Sequence, residues 1–381
     1  MIKVKLGIDN IDENILLFQG KRVGLITNNT GYNSEFKSTI DIFNEKTDLN
    51  ALYSPEHGIR GYIQAGEIVE NYIDESTGII VYSLYGKNKR PREEILNDID
   101  ILVFDIQDVG ARFYTYLYTM AYAMESCRDF NKEFVVFDRP NPINGQEVEG
   151  NILNEEYSSF VGRYPIPQRY GLTIGEVANL FNDEFAIGCN LKVIPMKNWE
   201  RTMYYEDTGL NWIMPSPNIP SVDTSVVYTG TCIFEGTNIS EGRGTTKPFE
   251  IIGAPWLDSY EIANIMNNMD LEGVKFRPLF FVPTFSKHSG ELCKGIQIHV
   301  TDRKKFKAVK TGLFLYDIIR KASGDKFEFN IPIVNKSKYG IDLLTGDSGA
   351  REGKDSINKL YDIWEIRSGK YKVLKEKYHI Y

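Results

Sequence analysis

Between positions 56 and 60 the chain brings together a carboxylate, an imidazole and a guanidinium. Glu56, His57 and Arg60 lie in the stretch Tyr53-Ser54-Pro55-Glu56-His57-Gly58-Ile59-Arg60-Gly61. An acid beside an imidazole and a fixed cation suits proton transfer. Asn50-Ala51-Leu52-Tyr53, just ahead of it, reads as a short apolar strand. Pro55 fixes its own φ and biases Ser54 toward extended backbone, while Gly58 and Gly61 open conformations closed to other residues. The three groups therefore sit on a shaped loop at a strand's carboxyl end, where open α/β sheets bind ligands.

Two more stretches set a carboxylate near an arginine after an expected strand. One is Asp105-Ile106-Gln107-Asp108-Val109-Gly110-Ala111-Arg112-Phe113-Tyr114-Thr115-Tyr116. The other is Asp138-Arg139-Pro140-Asn141-Pro142-Ile143-Asn144-Gly145. Taken singly, each has a structural explanation: Asp105 and Asp138 are of the type that caps helices, and the arginines neutralise them. Three such stretches at equivalent strand ends point instead to a polar cleft. A fourth, from Glu235 to Pro248, is glycine-rich and carries Glu241 and Arg243, so it can face the others from a second domain. His288 and His299 stand alone and read as structural. No H-x-H or H-x-x-x-H spacing occurs, which argues against a metal site.

The elements that must position these stretches alternate in type. Strands are expected at Arg22–Thr27, Asn50–Tyr53, Ile79–Tyr82, Asp100–Asp105, Glu133–Asp138 and Leu191–Ile194. The third is followed by Tyr85-Gly86-Lys87 and a basic loop. Helical spacing covers Ile11–Phe18 and Thr115–Arg128, and Ser34 is placed to cap a further helix running to about Phe43. Such alternation predicts an α/β fold with right-handed βαβ units and a Rossmann-like, doubly wound parallel sheet. No G-x-G-x-x-G or P-loop follows the first strand, so no nucleotide cofactor is expected. Trp212–Pro220 holds Pro215, Pro217 and Pro220 and reads as a crossing between domains, which places a first domain at 1–222 and a second at 223–381. In the second, strands are expected near Pro278–Ser286 and Gly295–Val300, with helices at Lys304–Lys321 and Ile357–Tyr378, the last with a break expected at Gly369.

Bulk properties narrow the class of partner. A formal net charge of -8 and the lack of a Lys/Arg cluster exclude nucleic acid. An aromatic share of 13% leaves enough Tyr and Phe for a core and for stacking on sugar rings. Cys127, Cys189, Cys232 and Cys293 never form C-x-x-C and read as reduced core residues. No apolar run approaches the ~20 residues a membrane span needs. The start, Met1 to Gly7, lacks a hydrophobic signal region, so the expected compartment is the cytoplasm, or outside the cell if an export signal has been removed.

Ser54-Pro55-Glu56-His57-Gly58, Asp105 to Gly110 with Arg112 to Tyr116, Asp138 to Pro142, and Glu235-Gly236-Thr237-Asn238 through Gly242 to Thr245 together resemble the exo-β-N-acetylmuramidase (NamZ) family. The motifs follow family order and cover most of the chain. The resemblance implies a Rossmann-like domain and a smaller α+β domain with the active site between them. It also implies release of N-acetylmuramic acid from the non-reducing ends of peptidoglycan fragments, without a cofactor.

On that basis Glu56 is the expected general acid, with His57 and Arg60 tuning or positioning it. Asp105, Asp108 and Glu241 compete for the role of second group, and the substrate's own 2-acetamido group is a further possibility. The lactyl carboxylate of the muramic sugar suits a guanidinium, for which Arg112 and Arg243 are first in line and Arg60, Arg139 and Arg163 next. Gln107, Asp138 and Asn141 are expected to contact substrate, and Tyr114 and Tyr116 to line the sugar subsite. Two rivals are a non-catalytic binding protein for wall fragments and an esterase or amidase using Ser54 with His57. The latter lacks the G-x-S-x-G elbow.

Overall fold

A computed structural model describes residues 3–61, 70–86, 88–331 and 338–381. Met1, Ile2 and Lys87, which entered the sequence reading, lie outside the described residues.

Apolar runs become the strands of one sheet, fully buried at its centre and partly exposed toward its edges. They are β1 (Arg22–Thr27), β2 (Asp48–Ser54), β4 (Ile80–Ser83), β5 (Ile101–Asp105), β6 (Glu133–Phe137) and β7 (Asn190–Ile194), with a two-residue strand β3 (Tyr72–Ile73) at one edge. The order is β3-β4-β2-β1-β5-β6-β7. Every pairing is parallel except β3 with β4, so the sheet is mixed only at its edge. Leaving out β3, the order is that of a doubly wound nucleotide-binding sheet, with its reversal between β1 and β5. Thr27 lies opposite Asp105 at that reversal.

Helices α1 (Thr39–Lys46), α2 (Glu93–Leu96), α3 (Tyr116–Asp129) and α4 (Ile174–Glu184) connect the strands. The cap of α1 differs from expectation. Ser38, not Ser34, accepts the Asp41 amide at 3.0 Å, while Ser34 gives its amide and hydroxyl to Asp9. Helix α4 escaped the sequence reading, although Thr173 and Glu176 form a reciprocal capping box at its start.

After the proline-rich crossing come α5 (Val222–Thr231), β8 (Ile251–Ala254), α6 (Ser259–Asn267), β9 (Val274–Phe281), β10 (Cys293–Val300) and α7 (Ala308–Ser323). The antiparallel order β8-β10-β9 makes a second, smaller sheet. Helix α5 touches α7 backbone to backbone: a Cβ on Gly230 would lie 1.9 Å from the Ala308 carbonyl oxygen, and one on Gly312 would lie 2.1 Å from that of Gly230. This contact sets where α5 ends and hence where Glu235 emerges.

The chain closes with α8 (Gly340–Thr345), α9 (Gly349–Glu352) and α10 (Ile357–Leu374), which runs through Gly369 without a break. The tail returns to the first sheet. Tyr371 donates to the Tyr170 carbonyl at 3.0 Å, and Tyr381 to Asp138 at 2.8 Å. One apolar cluster runs from Ile26 through Phe104, Tyr316 and Trp364 to Tyr378 and spans both sheets. All four cysteines are buried thiols.

Candidate active site

The loop leaving β2 closes in a tight turn, with the Gly58 amide on the Pro55 carbonyl at 3.1 Å. His57 occupies its third position at φ 75, followed by Gly58 at φ 79. Glycine or asparagine normally fills such a place, and an imidazole there carries strain of order 1–3 kcal/mol, a feature that clusters at functional sites. Glu56 and His57 are both nearly buried, at 9% and 6% exposure. Thr115, at the start of α3, donates its hydroxyl to Glu56 Oε2 at 2.8 Å and so fixes the rotation of the carboxyl group.

Glu56 and His57 open onto a cavity of about 130 Å³. The β5–α3 loop supplies Phe113, Tyr114 and Thr115, and the proline-rich crossing supplies Ser216, Asn218 and Ile219. From beyond the crossing come Tyr228, Glu235, Arg243 and Phe249. The rings stand edge to face: Tyr114 and Tyr228 at 6.0 Å, Tyr228 and Phe249 at 4.7 Å. That leaves an aromatic wall of the kind that stacks on a sugar's C–H face. A wider cavity of about 530 Å³ shares Val161 and Glu235 with the first.

Arg243 is gripped by two carboxylates. It bonds Glu235 through Nη2 and Nε, and its Nε lies 3.2 Å from Glu241. Burial works against its charge, and Glu235 and Glu241 more than offset this. Gly242 and Gly244 both stand at φ 79, and a Cβ on Gly244 would come within 2.6 Å of the Phe285 carbonyl. Glycine on each side of Arg243 is what lets this loop press against the chain after β9. Glu241 itself also takes Lys287 at 2.8 Å and is nearly buried behind Arg243.

Glu235 is the carboxylate that sequence reasoning passed over. It heads the Glu-Gly-Thr-Asn run already noted in the family comparison, which was the available signal. Glu56 and Glu235 reach one cavity from the two sides of the cleft.

Several other expected site residues do not line this cavity. Asp105 is wholly buried, takes both Nε and Nη2 of Arg139 at 2.6 and 2.7 Å, and accepts Thr39 as well. This ion pair fills the crevice at the sheet's reversal, leaving a space of about 20 Å³ beside Arg139 and Gln107. Gln107 donates to the Pro140 carbonyl and Asn141 to that of Leu172. Asp138 accepts Thr173, Gly175 and Tyr381, tying α4 and the chain's end to β6. Burial, with Glu176 nearby, pushes its pKa up to about 7.

Asp108 accepts the Gly110 amide at 2.7 Å and the Tyr170 hydroxyl, and burial pushes it up to about 6. Arg112 is completely buried and donates to three carbonyls, of Asn151 at 2.8 Å, Ile166 at 3.0 Å and Leu344 at 2.5 Å. Tyr116 bonds the Pro215 carbonyl at 2.7 Å and backs Tyr114 edge to face. Arg60 is half-exposed and paired with Asp74. Ser54 is buried with its hydroxyl on the Pro55 carbonyl, which leaves it poorly placed as a nucleophile. His288 bonds the Asn238 carbonyl at 2.8 Å.

Among the described residues, no group of three His, Cys, Asp or Glu side chains is arranged to hold a metal ion, and no helix is long and apolar enough to cross a membrane.

The chain is 51% identical, over 100% of its length and 92% of the relative's, to the peptidoglycan β-N-acetylmuramidase NamZ of Bacillus subtilis (strain 168). It also superposes on two crystal structures of DUF1343 family proteins from Bacteroides fragilis NCTC 9343. One has a TM-score of 0.91 and 39% identity, covering 100% of both chains. The other has a TM-score of 0.76 and 28% identity, covering 100% of this chain and 99% of that one. The N-terminal family model of the exo-β-N-acetylmuramidase NamZ matches residues 23–223 and the C-terminal model residues 226–381, so this chain belongs to the NamZ exo-β-N-acetylmuramidase family.

Proposed function

We infer that this protein is a glycoside hydrolase, an exo-β-N-acetylmuramidase, in which Glu56 acts as general acid and Glu235 as the second carboxylate. The observation that carries this reading is their convergence on one small aromatic-walled cavity from opposite sides of the cleft. Glu56 is fixed in rotation by Thr115, as an acid that must meet a glycosidic oxygen requires. Glu235 lies against Arg243, which balances its charge beside the sugar. There it can stabilise an oxocarbenium-like centre or hold the 2-acetamido group in place for attack.

The substrate is a peptidoglycan-derived disaccharide or longer glycan fragment with an N-acetylmuramic acid at its non-reducing end. The reducing-side sugars extend from the small cavity along the cleft. A binding protein with the same cleft would have no use for two opposed carboxylates at the site of bond cleavage.

A chromogenic β-glycoside of N-acetylmuramic acid tests the assignment. The wild type should release the chromophore, and Glu56→Gln and Glu235→Gln should each lower kcat by about 10²–10⁴-fold while remaining folded. Near-normal turnover by a folded Glu235→Gln variant would remove Glu235 from the reaction and leave substrate assistance to act without it.

A further inference from the structure

The wider cavity beside the active site is walled by Phe160 and Leu343 and joins the catalytic cavity at Val161 and Glu235. Lys89 enters it with its ammonium 4.1 Å from the centre of the Phe160 ring, and Ser159 lines the same space. The neighbouring arginines are committed elsewhere: Arg112 to three carbonyls, Arg163 to Glu125, and Arg243 to Glu235 and Glu241. Lys89 instead stands over the Phe160 ring. Burial draws its pKa down, and the charge of Glu56 opposes the shift.

We propose that Lys89 reads the lactyl carboxylate of the muramic sugar and is the specificity-determining residue for it. The proposal rests on the muramidase reading above and deepens it. The lactyl ether hangs from C3, two bonds from the anomeric carbon, so its carboxylate lies beside the scissile bond and not in line with it. A reader must therefore sit beside the catalytic cavity without touching the leaving oxygen, and Lys89 lines the cavity that adjoins it. Phe160 holds the ammonium over its ring face until the anion arrives, and Ser159 offers a hydroxyl to the same carboxylate. The lactyl methyl group meets the apolar wall of Phe160 and Val161. Because Arg243 balances Glu235, the shared wall does not repel the incoming anion.

Three chromogenic β-glycosides distinguish the possibilities: that of N-acetylmuramic acid, its lactyl methyl ester, and that of N-acetylglucosamine. The wild type should favour the free acid over both others. Lys89→Met should lower kcat/KM for the acid by about 10- to 150-fold, mostly through KM, and leave the other two substrates as in the wild type. Lys89→Arg should recover part of the preference. An unchanged acid-to-ester ratio in K89M overturns the assignment, and so does an equal loss on all three substrates, which would mean a structural role. Failure of the wild type to cleave any of the three would instead overturn the muramidase reading, and the assignment with it.

Discussion

Thr115 donates its hydroxyl to Glu56 Oε2 at 2.8 Å, joining two residues 59 positions apart. Thr115 is the N-cap residue of α3, yet its side chain caps no helix amide. Its hydroxyl is a donor to the acid where a cap would need it as an acceptor. Thr115→Val should therefore leave the melting temperature within a degree or two of wild type, since no cap bond is lost. Its kcat should fall about 10-fold through loosened positioning of Glu56. A large fall in stability with kcat unchanged would show that the contact serves the fold alone.

His57 at φ 75 allows the imidazole and the backbone to be tested apart. His57→Gly removes the side chain and relieves the turn, whereas His57→Ala removes it and keeps the strain. The glycine variant should be more stable than the alanine variant by about 1 kcal/mol. Both should lose activity to a similar degree. Chemical denaturation and steady-state rates on the two variants provide the check, and an alanine variant at least as stable as the glycine one would refute the strain.

Arg112 belongs to the scaffold. Removing the guanidinium strands the carbonyls of Asn151, Ile166 and Leu344 in the interior. Arg112→Met should destabilise by about 3 kcal/mol or more, since each bond to a charged donor contributes about 1.5–3 kcal/mol and unpaired buried carbonyls add a penalty. Below its melting transition, the variant should keep the wild-type preference between muramic acid and glucosamine glycosides. Loss of that preference in folded protein would return Arg112 to the binding site.

Asp108 should leave a signature in stability against pH. Its pKa is raised by burial from the ordinary carboxylate range to about 6 in the folded state. Between about pH 4 and 6 the folded chain then holds a proton that the unfolded chain has released. Stability from this group is therefore full below pH 4 and is lost as pH rises through 6, by about 3 kcal/mol. Asp108→Asn has no such titration, so the stability gap between wild type and variant should move in the variant's favour from pH 4 to 7. Thermal melts across that range decide it; a constant gap would mean that Asp108 ionises at its ordinary pH.

Much of the scaffold is a local property of the chain. Arg22–Thr27 appears as a strand with the limits its apolar run implies, and β2, β5, β6, α3 and α10 lie within a few residues of their sequence patterns. Each is written in consecutive residues, through apolar runs for buried strands and a 3.6-residue period for helices. The mostly parallel, doubly wound sheet follows from their alternation. The loop carrying Glu56 and His57 was legible for the same reason: Pro55 and Gly58 state its shape locally.

Which charged residues reach the cavity is a different kind of fact. Asp105 and Glu56 both end strands and look alike in sequence, yet Asp105 is neutralised by Arg139, 34 positions away, while Glu56 borders open space. Arg112 and Arg243 both sit in polar loops, but only Arg243 lines the cavity, because three carbonyls brought in by other segments enclose Arg112. Glu235 was marked in sequence only as the head of the Glu-Gly-Thr-Asn run, and Lys89 only as part of a basic loop, neither with a role. Their positions depend on the Gly230–Gly312 contact and on Phe160, respectively. Residue type and spacing along the chain determine the elements and the loops that end them. Whether a charged group is buried against a partner or left facing substrate is decided by which distant segments pack around it, and only the tertiary structure contains that.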